Sequence, residues 1–358
     1  LTPFLPSHPV MATGGEDGIT AVASSPWGSA MLLPITYGYI KMLGEEGLRH
    51  STERAIVNAN YMSSALKNEF RTYYSGETGR VGHEMILDLT NFKKDYGIDC
   101  GDIVGDSPFL YPDYIKTVSD INIPMFRAIG NHDMDYYGRS HETSYKTFEK
   151  YFGPTVYSFN KGNAHYIILN NNFFVGRDYF YMGYIDEKTF HWLEQDLALV
   201  PEDNLIFIFM HIPSRLTNDE KQFAYDYFTI ADQTVNARAL HNMFKNHETH
   251  IITGHMHYNL NMEFNDKIME HNTASACGTW WQIPECLDGT PRGYAVYEVN
   301  GNKVEWYYKG AEYDRNFQMR VYGIGECEEA PSDIVANVWN YDSKWKVELI
   351  EDGKKTAD

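Results

Sequence analysis

An α/β fold followed by a β-rich tail is what this sequence predicts, and three observations predict it. First, apolar strand-like runs end abruptly in polar residues: Ile121–Ile129 leads into Gly130-Asn131-His132-Asp133, Leu205–Met210 into His211, and His250–Thr253 into Gly254-His255-Met256-His257. Second, helical stretches lie between those runs. In Asp186–Leu199, Phe190, Leu193 and Leu197 share one face and Asp186 can cap the start. Third, Tyr294–Val299, Asn300-Gly301 and Asn302–Tyr308 form a strong hairpin signal near the C-terminal end. Strand, polar tip, helix, strand is the grammar of an α/β fold, whose sites collect at the carboxyl ends of the strands.

Taken in order, residues 1–44 are rich in Gly, Pro and Ser, and Pro26-Trp27-Gly28-Ser29 reads as a turn. Residues 45–70 read as a helix, with Leu48, Ala55, Ala59, Met62 and Leu66 near helical spacing. Glu84–Leu89 reads as a short strand. The α/β texture begins at Ile98. In the tail, Ile334–Trp339 and Lys346–Ile350 read as further strands, and residues 285–358 are expected to form a small β-rich domain that is cut short at its C-terminal end.

The chain has 358 residues, enough for two or three domains, and 43% of them are apolar. A net charge of −19 opposes a nucleic-acid-binding patch, because a phosphate backbone attracts basic surfaces. It does not oppose phosphoester binding if metal ions supply the positive charge locally. Cys100, Cys277, Cys286 and Cys327 fit no zinc or redox spacing; free thiols are expected, with a Cys277–Cys286 bridge the alternative. No apolar run reaches the roughly 20 residues that a membrane span needs. No signal peptide is visible, and because the chain opens on Leu1 its start is expected to be missing.

The polar strand tips carry the chemistry. Two divalent metals about 3.5–4 Å apart can hold a phosphate, neutralise it and acidify a bridging water. Carboxylate, amide oxygen and neutral imidazole suit Mn, Zn or Fe. Asp102 has two oxygens with which to bridge, Asn131 offers a carbonyl oxygen, and His211, His255 and His257 each offer a ring nitrogen. His132 is placed to protonate a leaving alkoxide, with Asp133 orienting it. Asp106 is a weaker candidate, for a carboxylate that supports the site from outside the ligands. Each motif alone has a plainer reading: His211 as a core or loop histidine, Asn-His-Asp as a turn. Their order, each at a strand end, favours the metal site. His141, His165, His191, His241, His247 and His250 are expected to be surface or structural residues; His271, before a Thr-Ala-Ser-Ala run, is left open.

Residues from about 96 to the end resemble the calcineurin-like metallophosphoesterases, most of all members with an extra β-rich C-terminal domain. Tyr96-Gly97-Ile98-Asp99-Cys100-Gly101-Asp102-Ile103-Val104-Gly105-Asp106 is similar to that family's second motif, and Asp288-Gly289-Thr290-Pro291-Arg292-Gly293-Tyr294 and Gln318-Met319-Arg320-Val321-Tyr322 to its C-terminal domain. The resemblance implies an α/β/β/α sandwich, a two-metal site and hydrolysis of a small-molecule phosphomonoester or phosphodiester. It implies Asp102 as the bridging ligand, Asn131, His211 and His255 on the second metal, and His257 on the first. The family also places an Asp-x-His at the end of its first strand, and this chain has no Asp-x-His anywhere. The first metal keeps only Asp102 and His257, and the first strand with its helix is expected to be missing. One metal or fewer, and impaired activity, are therefore expected.

Residues 1–95 resemble glycine dehydrogenase (decarboxylating), the P-protein of glycine cleavage. The matching runs are Pro3–Val10, Ser25–Ala30, Tyr39–Met42, Asn58–Met62 and Gly82–Asp88. The resemblance implies an α/β fragment of a PLP-dependent transferase-type fold. That family's cofactor lysine lies upstream of what Leu1 begins, so pyridoxal phosphate is not expected. A chimera joined near residues 90–98 follows. The alternatives are an inactive chimeric product or a fragment of a PLP-dependent glycine decarboxylase.

Overall fold

The computed structural model describes residues 30–67, 71–88, 96–176, 180–217 and 226–357. The expected turn at Pro26–Ser29, the first matching runs and most of the proposed join lie outside them. The chain divides into two compact units, Leu1–Lys94 and Asp95–Asp358.

In the first unit, helix α1 (Leu33–Leu66) starts earlier than the expected 45–70. Gly44 interrupts it with φ 63° and ψ −176°, a left-handed conformation that glycine adopts without a Cβ clash. Two helical segments therefore meet where one helix was expected to begin. Ala59 is the one buried residue among the helix's described residues, while apolar side chains such as Met42 (86% exposed) and Val57 (65%) face outward. Strands β1 (Arg71–Thr72) and β2 (Leu87–Asp88) pair antiparallel. The loop between them is clamped to α1 at two points: Asn60 Nδ2 donates to the Val81 carbonyl (2.9 Å) and Val81 N–H to Asn60 Oδ1 (3.1 Å).

The second unit opens with β3 (Gly97–Asp99), α2 (Tyr111–Ser119) and β4 (Met125–Arg127), a crossover that sets β3 and β4 parallel, Ile98 opposite Phe126. Among the described residues β3 pairs with β4 alone. Helix α3 (Lys146–Phe152) follows, then β5 (Tyr157–Lys161) and β6 (Ala164–Ile168), and the short pair β7 (Asn172–Phe174) and β8 (Tyr181–Gly183). Next come α4 (Glu187–Leu197), β9 (Leu205–Phe209), α5 (Tyr227–Asp232), α6 (Ala237–Met243), β10 (Thr249–Thr253), β11 (Leu260–Asn265) and β12 (Ile268–Asn272). The main sheet runs β11-β12-β10-β9-β6-β5, with parallel pairing from β12 through β6 and antiparallel edges. Asp186 caps α4 as expected, accepting from Thr189 N–H at 2.7 Å.

Strand β9 reads Leu-Ile-Phe-Ile-Phe because both of its faces are buried. Ile206 and Ile208 join Ile167, Ile251 and Ile268 beneath Leu193 of α4 and Leu240 of α6. Phe207 and Phe209 point the other way, with Tyr166, Ile168 and Ile252, toward Ile98 and Cys100. That second face is also covered by Tyr297 and Val304 of the hairpin β13 (Gly293–Asn300) and β14 (Lys303–Gly310). Beyond β3 and β4, Tyr111 of α2 and Phe148 of α3 pack on Ile129, Met134 and Phe174. The layers are thus helix, sheet, sheet, helix. The tail adds two ribbons, β15 (Met319–Tyr322) with β16 (Val335–Val338), and β17 (Leu349–Glu351) with β18 (Lys354–Ala357). Trp339 closes a small core with Tyr308, Cys286 and Ala274. All four cysteines are free thiols, so the alternative Cys277–Cys286 bridge is not formed.

One buried carboxyl lies inside the sheet. Glu270 on β12 is 2% exposed; Oε1 accepts from Ser214 N–H (2.7 Å), and Oε2 meets the Ser214 hydroxyl. Burial raises its pKa from 4.5 to about 7. The folded value exceeds the unfolded one, so the stabilisation is complete below pH 4.5 and is lost as pH rises toward about 7. The loss amounts to about 3 kcal/mol. Glu270→Gln keeps both partners without a charge. Thermal melts should show the variant more stable than the parent near pH 8 and level with it near pH 4; equal pH dependence of the two proteins would refute this.

Candidate metal centre

Each candidate ligand sits just past the carboxyl end of a parallel strand: Asp102 after β3, Asn131 after β4, His211 after β9, His255 and His257 after β10. The turns there are tight. Gly101 (φ 98°), Asp102 (φ 56°), His255 (φ 69°) and His257 (φ 55°) all adopt left-handed backbone. Asp and His are among the few side chains that enter this region at modest cost, and such outliers cluster at functional sites. Gly130 is needed for another reason: a Cβ there would lie 2.1 Å from Asp102 N and 2.2 Å from Asp102 Oδ1.

The side chains converge on His211. Its Nδ1 donates to the Cys100 carbonyl at 2.7 Å, which turns Nε2 inward. Around Nε2 lie Asn131 Oδ1 at 2.9 Å, Asp102 Oδ2 at 3.1 Å and His255 Nδ1 at 3.1 Å. Asp102, His211 and His255 form the one group of three or more His, Cys, Asp or Glu among the described residues whose ligand atoms all lie within 4.8 Å. His255 Nε2 faces Asp232 Oδ1 at 3.4 Å, an arrangement that leaves Nδ1 free to offer a lone pair.

This donor set fits a divalent ion. Donors bound at about 2.1 Å to one ion lie roughly 3–3.5 Å from one another, and the three atoms around Nε2 lie 2.9–3.1 Å from it. The electrostatics agree. Burial alone would raise the Asp102 carboxyl, but His211, His132 and His255 reverse this and hold it well below the usual carboxylate range. Burial opposes charge on His211, yet Asp102 overcomes it and raises the imidazole's pKa. The field that strengthens proton binding there also attracts a metal cation. His255 is lowered by burial, which favours the neutral ligand form.

Two expected roles change hands. Asp133 does not orient His132. Its carboxylate accepts from the N–H groups of Gly130 (2.9 Å), Ile103 (3.2 Å) and Val104 (3.2 Å), pinning the loops after β3 and β4 together. Burial and the neighbouring Asp102 push its pKa up to about 7. Asp106 faces the imidazole instead, with Oδ1 2.8 Å from His132 Nδ1. Asp102 Oδ1 also accepts from His132 N–H at 2.9 Å. His257 stands outside the converged group. Its Nδ1 lies 3.1 Å from the Gly278 carbonyl, and the Cys277 thiol raises its pKa.

Sequence reasoning missed Asp232. It ends α5, far from the strand-tip motifs, and no spacing announces it. Of the other histidines, His165 is locked between Asn160 Oδ1 and Asp196 Oδ2, both at 2.8 Å. His271 is buried against His250 (2.8 Å) and Asn261 (2.7 Å), within the sheet rather than at the site.

Comparison with known proteins gives three family matches. Residues 83–259 match the calcineurin-like phosphoesterase family, and residues 270–358 match the C terminal of calcineurin-like phosphoesterase. The chain carries a calcineurin-like phosphoesterase domain and its C-terminal domain. A third match, to the glycine dehydrogenase C-terminal domain, covers residues 51–107 and overlaps the phosphoesterase match over 83–107. The glycine dehydrogenase (decarboxylating) of Flavobacterium johnsoniae is 53% identical over 103 residues, 29% of this chain and 11% of that protein. The chain thus spans about a tenth of the length of the curated relatives it matches. Among solved structures, a dimetal phosphatase from Danio rerio aligns with a TM-score of 0.43 at 13% identity, over 62% of this chain and 83% of that one. A 5′-nucleotidase from Candida albicans aligns with a TM-score of 0.35 at 16% identity, over 59% and 42%. The calcineurin-like phosphoesterase part carries the whole candidate metal centre.

Proposed function

We infer that the calcineurin-like phosphoesterase part hydrolyses small-molecule phosphoesters with a single divalent ion, Mn, Zn or Fe, held by Asp102, Asn131, His211 and His255. The observation that carries this reading is the convergence of Asn131 Oδ1, Asp102 Oδ2 and His255 Nδ1 to within 3.1 Å of His211 Nε2. When bound, such an ion supplies Lewis acidity toward a phosphoryl oxygen and acidifies a coordinated water. The chain's own groups do the rest. Asp102 holds the His132 backbone in place, and Asp106 holds His132 Nδ1, leaving Nε2 to give its proton to the departing alkoxide. We further propose a core of residues 96–284, a β-rich domain of 285–358, and impaired turnover. Impairment follows because Asp102 and His257 alone make a poor second site.

Elemental analysis of the full chain, run beside hydrolysis of a chromogenic phosphodiester, tests this. About one ion per chain and chelator-sensitive turnover are expected; turnover in metal-free protein would overturn it. His132→Ala should slow esters with alkyl leaving groups by about 100-fold or more. Esters of 4-nitrophenol, whose leaving group needs no proton, should slow far less. Equal losses on both esters would remove His132 from this role.

A second reading, an inactive chimeric product, draws on the outward-facing apolar side chains of α1. They suit a segment that packs on a larger body. The proposed join near residues 90–98 lies inside the stretch 83–107 that both family matches cover. A cooperative thermal transition for the whole chain argues against a misfolded product.

A further inference from the structure

Two consecutive tryptophans, Trp280 and Trp281, lie beside the loops after the third and tenth strands and have no part in the core. They are 54% and 66% exposed. Both are held in left-handed backbone, at φ 45° and 59°, a conformation that bulky side chains rarely adopt. The turn is fixed from below. Thr279 N–H donates to the Glu285 carbonyl (2.8 Å), Thr279 Oγ1 donates to the same carbonyl (2.8 Å), and Gln282 N–H donates to the Thr279 carbonyl (2.9 Å). Gly278, at the foot of the turn, accepts from His257 Nδ1. A rigid turn thus holds two indoles in solvent, tied to the strand-end motif.

Their placement is specific. The six-membered ring of Trp281 lies against Gly105, 3.9 Å from where a Cβ on that glycine would be. Gly105 precedes Asp106, the carboxylate that faces His132. The ring of Trp280 lies 5.7 Å from that of His257, tilted by 38°. Trp281 therefore lies against the loop that follows Asp102, and Trp280 beside the last of the strand-end histidines. A leaving group must depart toward the acid that protonates it, and the loop against which Trp281 packs is the one that carries Asp106, the partner of His132.

We propose that Trp281, supported by Trp280, is the specificity-determining surface for the leaving group, and that it selects phosphoesters whose leaving group carries a planar aromatic ring. This rests on the reading of the site as a phosphoesterase. Stacking on an exposed indole suits a strongly acidic protein, whose overall charge repels an anionic substrate and gives it no other handle away from the metal. Face-to-face stacking tolerates many ring types, so a nucleobase and a simple aryl group share the required chemistry.

Calorimetric titration of the full chain, with and without Mn2+, separates the possibilities. Adenosine monophosphate and phenyl phosphate should each bind about 10- to 100-fold more tightly than glycerol 2-phosphate. Trp281→Ala should erase that preference while Trp281→Phe keeps most of it. Tighter binding of adenosine monophosphate than of phenyl phosphate identifies a nucleoside as the source of the ring; equal binding identifies an aryl group. Asp102→Asn should weaken all three ligands and leave their ratio unchanged. A parent protein with no preference, a parent that binds none of the three, or a preference that survives in Trp281→Ala overturns the proposal. If the phosphoesterase reading alone fails, the ring preference remains while metal-dependent hydrolysis is absent.

Discussion

Asp102→Asn is expected to abolish tight metal binding and to lower phosphodiester hydrolysis by about a thousandfold, the several kcal/mol that a metal contributes to stabilising charge in such a reaction. Asparagine is the better test than alanine. It tolerates the left-handed backbone at φ 56°, and it keeps an oxygen to accept the His132 N–H. What it removes is the charge. That charge is the main force raising the pKa of His211 against burial, so His211 should become harder to protonate in the variant. NMR titration of the His211 ring reads that change independently of activity. Asp102→Asn with unchanged metal content and unchanged turnover would end the assignment of this residue as a ligand.

Gly130→Ala is expected to be as damaging, although it adds a single methyl group. The new Cβ would lie 2.1 Å from Asp102 N and 2.2 Å from Asp102 Oδ1. Neither atom can swing aside, because Asp102 is held by its own backbone and by His132 N–H. Overpacking of this kind costs about 1–3 kcal/mol of stability. The larger loss falls on the metal, whose ligand is displaced: an affinity drop of about 10- to 100-fold or more. Gly254→Ala is the control. Its Cβ would meet Cys100 Cβ at 3.5 Å, an ordinary contact, and the glycine is not in left-handed backbone. Calorimetry and metal titration should show Gly254→Ala close to the parent. Equal behaviour of the two variants would mean that close approach at Gly130 does not matter.

The strand-tip motifs were legible because an α/β sheet delivers its polar residues to one edge. Runs such as Leu205–Met210 announced both a strand and the histidine beyond it. Roles within a motif were less legible. Adjacency in sequence suggested that Asp133 serves His132, but a tight turn points neighbouring side chains in different directions. Asp133 turns back toward backbone N–H groups, and Asp106, 26 residues upstream, faces the ring. Asp232 could not be found at all, since only the fold brings the end of α5 to His255. Helix α1 begins at Leu33, earlier than the sequence predicts, because Gly44 breaks the helical path without ending it.

The left-handed turns at Asp102, His255 and His257 have an evolutionary consequence. Backbone sterics alone restrict those positions to a short alphabet of Gly, Asn, Asp and His. A lineage that stopped hydrolysing anything would still be penalised for most replacements there. The lettering of these motifs would therefore outlive their chemistry. Drift after loss of function should show first at Asn131 and His211, which are absent from the left-handed set and have no such conformational restraint.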